Sequence, residues 1–267
     1  MKIAAGVEYR GTDFEGWQRQ SGGRTVQECI ENALSSIADQ PLEVHCAGRT
    51  DSGVHAVQQV IHFETTARRE NHSWVLGANT QLPGDVNLNW AIPVDDEFHA
   101  RFSAISRHYR YYILNRNTRP SVFKDFLTWS IDKLDEGRMS KAAVCLHGKH
   151  DFTSFRATSC QSKTPVRNIF RIDVSRQNDL IIIDVEANAF LHHMVRNIAG
   201  VLMMIGSGDK PVSWAGDVLE ARDRTLGGVT APPNGLFLMD VKYHEKFRIP
   251  RYTSVDPSIM KVLEAVL

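Results

Sequence analysis

The chain has 267 residues, 42% hydrophobic and 23% charged, the composition of an ordinary soluble globular protein with one large domain or two modest ones. Its 31 Lys and Arg balance its 31 Asp and Glu, which excludes a generally adhesive polyanion binder but not a partner met by local basic clusters. No apolar run reaches the ~20 residues of a membrane helix, and the charged start MKIAAGVEYRGTDF is no secretory signal. Cys29, Cys46, Cys145 and Cys160 are scattered without a CxxC pair and read as reduced, mostly buried thiols of a cytoplasmic protein.

The elements come in a repeated order. KIAAGVEY, with Gly11 just beyond it, reads as a strand. TVQECIENALSSIA spaces Val26, Cys29, Ile30, Ala33, Leu34 and Ile37 along one helical face. Thr25, with Glu28 three residues on, forms a capping box at its start. PLEVHC and VQQVIHFET read as strands on either side of the run CAGRTDSGVHA. ENHSWVLGAN then reads as a helix, and VNLNWAIPV alternates like a half-buried strand. The second half repeats the rhythm with longer parts. SRHYRYYIL is a strand, and EGRMSKAAVCLHG a helix with Met139, Ala142, Ala143 and Leu146 on one face. VRNIFRIDVSR and DLIIIDVEANA form a hairpin around Gln177-Asn178-Asp179; a long helix from Leu191 to Ile205 and the strand GLFLMDVKYH complete the series. Two α+β halves are expected, 1–104 and 105–267. The connector from Arg101 to Ser106 is not Gly/Pro-rich, so the halves are expected to share a sheet or a tight interface.

Several chemistries leave no trace. There is no GxxxxGK[ST] phosphate loop, no GxGxxG after the first strand, no HExxH and no GxSxG elbow. His192 and His193, placed on the long helix, point about 100° apart and cannot hold one metal from a common face, so no metal site is expected. What remains is a set of unlike residues. Asp51 lies in a Gly-bounded loop, where it is either an Asx-turn residue or a reagent to which the backbone lets a substrate come close. Arg49 lies two residues away. Arg196 sits in an apolar helix that would bury it at high cost unless a carboxylate met it, and Asp51 is a candidate. Tyr109, flanked by arginines in RHYRYY, is either core packing or a ring suited to stacking on a base beside phosphates. The clusters Arg10, Arg19 and Arg24, Arg68-Arg69, and Arg101 to Arg119 read singly as solvated surface and jointly as a basic face. The polar loop RATSCQSKTPVRN, with Lys163 and Arg167, is open to either reading.

The segments EYRGTDFEGWQRQ, TVQECIENAL, CAGRTDSGVHA, FHARFSAISRHYRYYI, DFTSF and NAFLHHMVRN resemble, in this order and over nearly the whole chain, the tRNA pseudouridine synthase A family. Ser52 stands where that family often has Ala, which demotes it to a turn residue. The resemblance implies two ferredoxin-like α+β halves forming one extended mixed, mainly antiparallel β-sheet, with helices on one face and a central active-site cleft. It implies a homodimeric isomerase that converts uridine to pseudouridine at positions 38, 39 and 40 of the tRNA anticodon stem-loop without cofactor or metal. By motif, Asp51 is the catalytic aspartate, Tyr109 stacks on the target base, Arg196 pairs with Asp51, and Arg49 assists base extrusion or grips the backbone. Arg24, in the basic segment before the first helix, is expected to bind substrate phosphate. Two competing readings are a non-catalytic tRNA-binding module or RNA chaperone, and a hydrolase built on Ser52 and His55.

Overall fold

Ile3, Ala4, Ala5 and Val7 of β1 (Lys2–Tyr9) are all buried, because this strand has a paired neighbour on each side. The structure, a computed structural model, describes residues 1–250; the end of the expected second half, 251–267, lies outside the described residues. The described residues divide into two units, Met1–Arg107 with residues 237–250, and His108–Leu236. The described residues hold ten strands, in mixed and mainly antiparallel pairing, and five α-helices, the expected α+β class. No helix among them is long and apolar enough to cross a membrane.

In the first unit, β1 is followed by α1 (Val26–Ala38), β2 (His45–Cys46), β3 (His55–Glu64), α2 (Asn71–Gln81) and β4 (Val86–Val94). The order β4-β1-β3, with β2 on β3 and every pair antiparallel, is the ferredoxin-like arrangement. A returning strand, β10 (Leu236–Tyr243), lies parallel to β3 with Phe237 opposite His55. The apolar stripe of α1 buries Val26, Ile30, Ala33 and Leu34, at ~1.5–3 kcal/mol for each large side chain. The capping box does not form. Thr25 takes the extended N-cap conformation, but its hydroxyl makes no capping bond, and Glu28 lies 3.9 Å from Arg19 instead.

The first strand beside the quoted loop is shorter than PLEVHC suggests, because only His45 and Cys46 pair with β3. Side chains of α1 have already taken the preceding backbone. Leu42 N–H donates to Ser35 Oγ (2.9 Å) and Val44 N–H to the buried Glu31 carboxylate (3.0 Å), which Gln27 and Arg19 also hold. A backbone satisfied by a helix has no need of a ladder.

His62, on β3, is 3% exposed, and its Nδ1 accepts the Ala100 N–H (3.1 Å). Its ring centroid lies 5.0 Å from that of His45 and 4.5 Å from that of His99. Burial, then the neighbouring His99, His45 and Lys2, push its pKa from 6.5 down to about 3. The unfolded chain therefore takes up a proton below pH 6.5 that the folded chain refuses until about pH 3, and stability is lost as pH falls through that window. His62→Asn keeps an acceptor for Ala100. Its urea midpoint is expected to fall less than the parent's between pH 7 and pH 4.5, and parallel curves would assign the acid sensitivity elsewhere.

The boundary between the units falls inside β5 (Ala104–Asn115). The second unit continues with β6 (Thr128–Ser130), α3 (Glu136–Ala143), β7 (Gly148–Asp151), β8 (Val166–Gln177), β9 (Leu180–Ala187), α4 (Met194–Gly206) and α5 (Trp214–Ala221). Its strand order is β5-β9-β8-β7, with β6 parallel to β5. The β8–β9 hairpin turns at Asn178, with φ of 52°, as the sequence indicates. The short elements β6, β7 and α5 were not anticipated. The long helix starts later than expected, at Met194, so His192 and His193 precede it rather than lie on it; His193 holds φ of 62°. The arginines of β5 are not plain surface. Arg107 is buried, and Arg110 donates to the Asp184 carboxylate of β9 (2.6 Å), which also receives His108 and Arg171. The cysteines are half-buried or, at Cys145, exposed, rather than mostly buried.

Candidate active site

The loop carrying Asp51 leaves β2 and enters β3, and its first residues are clamped to β3. Ala47 N–H donates to the Val60 carbonyl (2.8 Å), while Gly48 exchanges bonds with the buried Gln59 side chain (3.3 and 2.6 Å). The loop's centre docks on the segment after β1. Trp17 N–H donates to the Thr50 carbonyl (3.0 Å), the Tyr9 hydroxyl and Thr50 Oγ1 are bonded at 2.7 Å, and Ser52 Oγ donates to the Phe14 carbonyl (3.0 Å). Two glycines permit this approach. A Cβ on Gly11 would lie 2.0 Å from the Val54 carbonyl oxygen, and one on Gly16, where φ is 95°, would lie 2.9 Å from that of Thr50. The first motif thus exists to seat the third. Asp51 emerges half-buried between the buried Thr50 and the exposed Ser52.

His55 and Ser52 are parts of this seat. His55 is buried, accepts the Gly11 N–H at Nδ1 (3.0 Å), and stacks on Phe237 with centroids 4.7 Å apart. These bonds assign Ser52 and His55 to holding the loop, the role expected of Ser52 alone. Arg49 is exposed on the same loop. Arg24 reaches the same docking segment, its guanidinium 4.0 Å from the Phe14 ring centroid, and makes a two-pronged pair with Asp85 (2.8 and 2.7 Å). That bond, the largest influence on it, raises the Arg24 pKa.

Tyr109 and Arg196 belong to the second unit. Tyr109, on β5, is 7% exposed and meets Phe190 edge-on with centroids 5.0 Å apart. Arg196 lies half-buried in the first turn of α4. Its Nε donates to the Ala231 carbonyl (2.9 Å), and Ala231 N–H returns a bond to the Arg196 carbonyl (3.1 Å). The next carbonyl, of Pro232, accepts the Tyr111 hydroxyl (2.8 Å). One strap of chain therefore ties α4 to the strand that bears Tyr109.

Asn197, missed in the sequence, anchors this strap. It is buried; Nδ2 donates to the Phe155 carbonyl of DFTSF (2.7 Å), and Oδ1 accepts from Thr230 (2.6 Å) and Arg224 (3.0 Å). Its only sequence signal was its place after Arg196 in HHMVRN. Asn197→Ala leaves three polar groups without this partner, and a loss of about 2–3 kcal/mol in urea denaturation is expected; an unchanged midpoint would mean the strap is held without it. At the start of β8, just past the loop that follows DFTSF, Arg167 is buried and donates to the Thr164 carbonyl (2.9 Å) and Ser162 Oγ (2.6 Å) of that loop.

The sequence model of the family described as tRNA pseudouridine synthase matches residues 5–103 and 142–244, spans that hold the Asp51 loop and the Arg196 helix. The chain belongs to that family. It is 55% identical to the tRNA pseudouridine synthase A of Nitrosococcus oceani over 251 residues, 94% of this chain and 97% of the relative. The tRNA pseudouridine synthase A of Alcanivorax borkumensis is 53% identical over 93% of this chain and 94% of its own length, and that of Coxiella burnetii 52% over 94% and 96%. Within a tRNA pseudouridine synthase family member, the docked loop and the strap have the same purpose: each fixes a backbone that carries one of the expected functional side chains.

Proposed function

We propose that this chain is a tRNA pseudouridine synthase, an isomerase acting on uridines 38, 39 and 40 of the anticodon stem-loop as a cytoplasmic homodimer. The observation that carries the reading is the loop AGRTDSGVHA, immobilised by bonds to its neighbours so that Asp51 is held half-buried. In the reaction the N1–C1′ bond breaks, the uracil turns, and C5 bonds to C1′; the C5 proton leaves to solvent and N1 gains one. No electron or phosphate is transferred, so the chemistry calls for no redox cofactor or nucleotide. Asp51 acts as the nucleophile or base, and Arg196 is its proposed ion-pair partner. A carboxylate held in place answers developing positive charge at C1′.

The target uridine must leave its stack, at a cost of a few kcal/mol. Tyr109 is proposed to stack on the extruded base, which returns ~1–3 kcal/mol. Arg49 and Arg24 are proposed backbone contacts, Arg24 sharing its guanidinium between Asp85 and a phosphate. Tyr109→Phe is expected to bind tRNA like the parent, and Tyr109→Leu about ten-fold more weakly, in a titration with labelled transcript. Equal binding by the two would assign Tyr109 to the core. Release of tritium from tRNA transcribed with [5-³H]uridine tests the whole reading, because only loss of the C5 hydrogen produces it. Binding without release would leave a tRNA-binding module.

A further inference from the structure

The turn between β4 and β5 is tied at both ends. Ser103 N–H donates to the His99 carbonyl (2.9 Å), His99 N–H donates to Ser103 Oγ (3.0 Å), and His99 Nδ1 accepts the amides of Arg101 and Phe102 (3.1 and 3.4 Å). The buried Arg107 adds a cross-brace, donating to the carbonyls of Arg101 (2.6 Å), Ala104 (3.3 Å) and Ala47 (2.8 Å). The brace joins this turn to the segment that leads into Arg49. On this support the Phe102 ring is 76% exposed, with its centroid 4.3 Å from that of His99 and 5.6 Å from the Arg101 guanidinium carbon.

A lone exposed apolar residue is ordinary. An exposed ring, backed by a second ring and with an exposed arginine beside it, has the parts of a nucleic-acid contact: a π-face for a base and a cation for a phosphate. We propose that Phe102 is a stacking platform for an unpaired base of the tRNA, with Arg101 as the phosphate contact beside it. The inference rests on tRNA being the substrate. It places a contact on the rim of the Asp51 unit, separate from the stacking role of Tyr109. A second copy of this chain is the less suitable occupant, because a two-fold contact centred on Phe102 would bring Arg101 towards its own copy.

The test titrates the full chain with fluorescein-labelled, unmodified tRNA transcript over a range of salt. Phe102→Ala is expected to raise Kd about ten-fold, within the range that base–aromatic stacking allows, while Phe102→Trp binds like the parent and its added indole fluorescence is quenched by tRNA. Arg101→Gln is expected to weaken binding and reduce the salt slope by about 1. Thermal melts should be parental, since the Phe102 ring is exposed. Parental affinity in Phe102→Ala overturns the proposal. If that variant also shifts the sedimentation of the free protein, the ring joins copies of this chain instead. Failure of the parent itself to bind the transcript would instead overturn the substrate reading.

Discussion

Asp51→Asn is expected to bind tRNA with parental affinity and to lose at least about 10³-fold in turnover, as removal of a central reactive group does elsewhere. The amide has the size of the carboxylate and the same capacity for a turn, so the loop should keep its shape. The bonds described as holding it run through the backbone of Ala47, Gly48 and Thr50 and the side chains of Gln59, Thr50 and Ser52. What the substitution removes is charge and nucleophilicity at a fixed point. Single-turnover measurements with tritiated tRNA, alongside equilibrium binding, separate the two quantities. A tenth of the parental rate, with reversion by deamidation excluded by mass spectrometry, would refute the assignment of Asp51.

Arg196→Lys is the second large effect expected, about 100-fold in turnover with affinity changed less than about three-fold. The charge is retained, so a merely electrostatic role would tolerate the change. Lysine has no counterpart to the Nε–H that donates to the Ala231 carbonyl, and no planar fork with which to meet both oxygens of a carboxylate. In the proposed reading the lost fork is what orients Asp51, and displacement of a reacting group by about 1 Å is enough for an effect of this size. A rate fall without a matching rise in Kd supports orientation. Normal turnover in the lysine variant would show that Arg196 serves the strap alone.

The parts of the fold that follow from a period were legible. β4 spans VNLNWAIPV from end to end, although its alternation holds only through Asn89, where the pairing with β1 shifts register, and the helical face of α1 is buried as its spacing requires. The departures arise where a distant side chain takes over a backbone. Glu31 and Ser35 relieve residues 42–44 of the need to pair, and a glutamate expected at a cap faces an arginine instead. Short elements such as β6 and β7 carry too few residues for any period to register. At the site, motif residues were visible because their types are unusual together. Their supports were less so: Gly16 and Asn197 act through contacts with residues far along the chain, and Gln59 and Arg107 brace loop backbone that no periodicity marks.

The return of the chain to its first unit has a consequence for synthesis on the ribosome. His55, which secures the Asp51 loop through Gly11, stacks on Phe237, and β10 lies against β3. A nascent chain with β1 to β4 complete still lacks that backing until Phe237 has emerged, after the whole second unit. Such long-range pairings form late and slowly. A prematurely terminated product therefore has an Asp51 loop whose His55 support lacks its Phe237 backing, and an open sheet edge at β3, which makes it a target for proteolysis. The topology thus separates the Asp51 loop from part of its support: the loop comes early in the chain, and the strand that backs His55 comes much later.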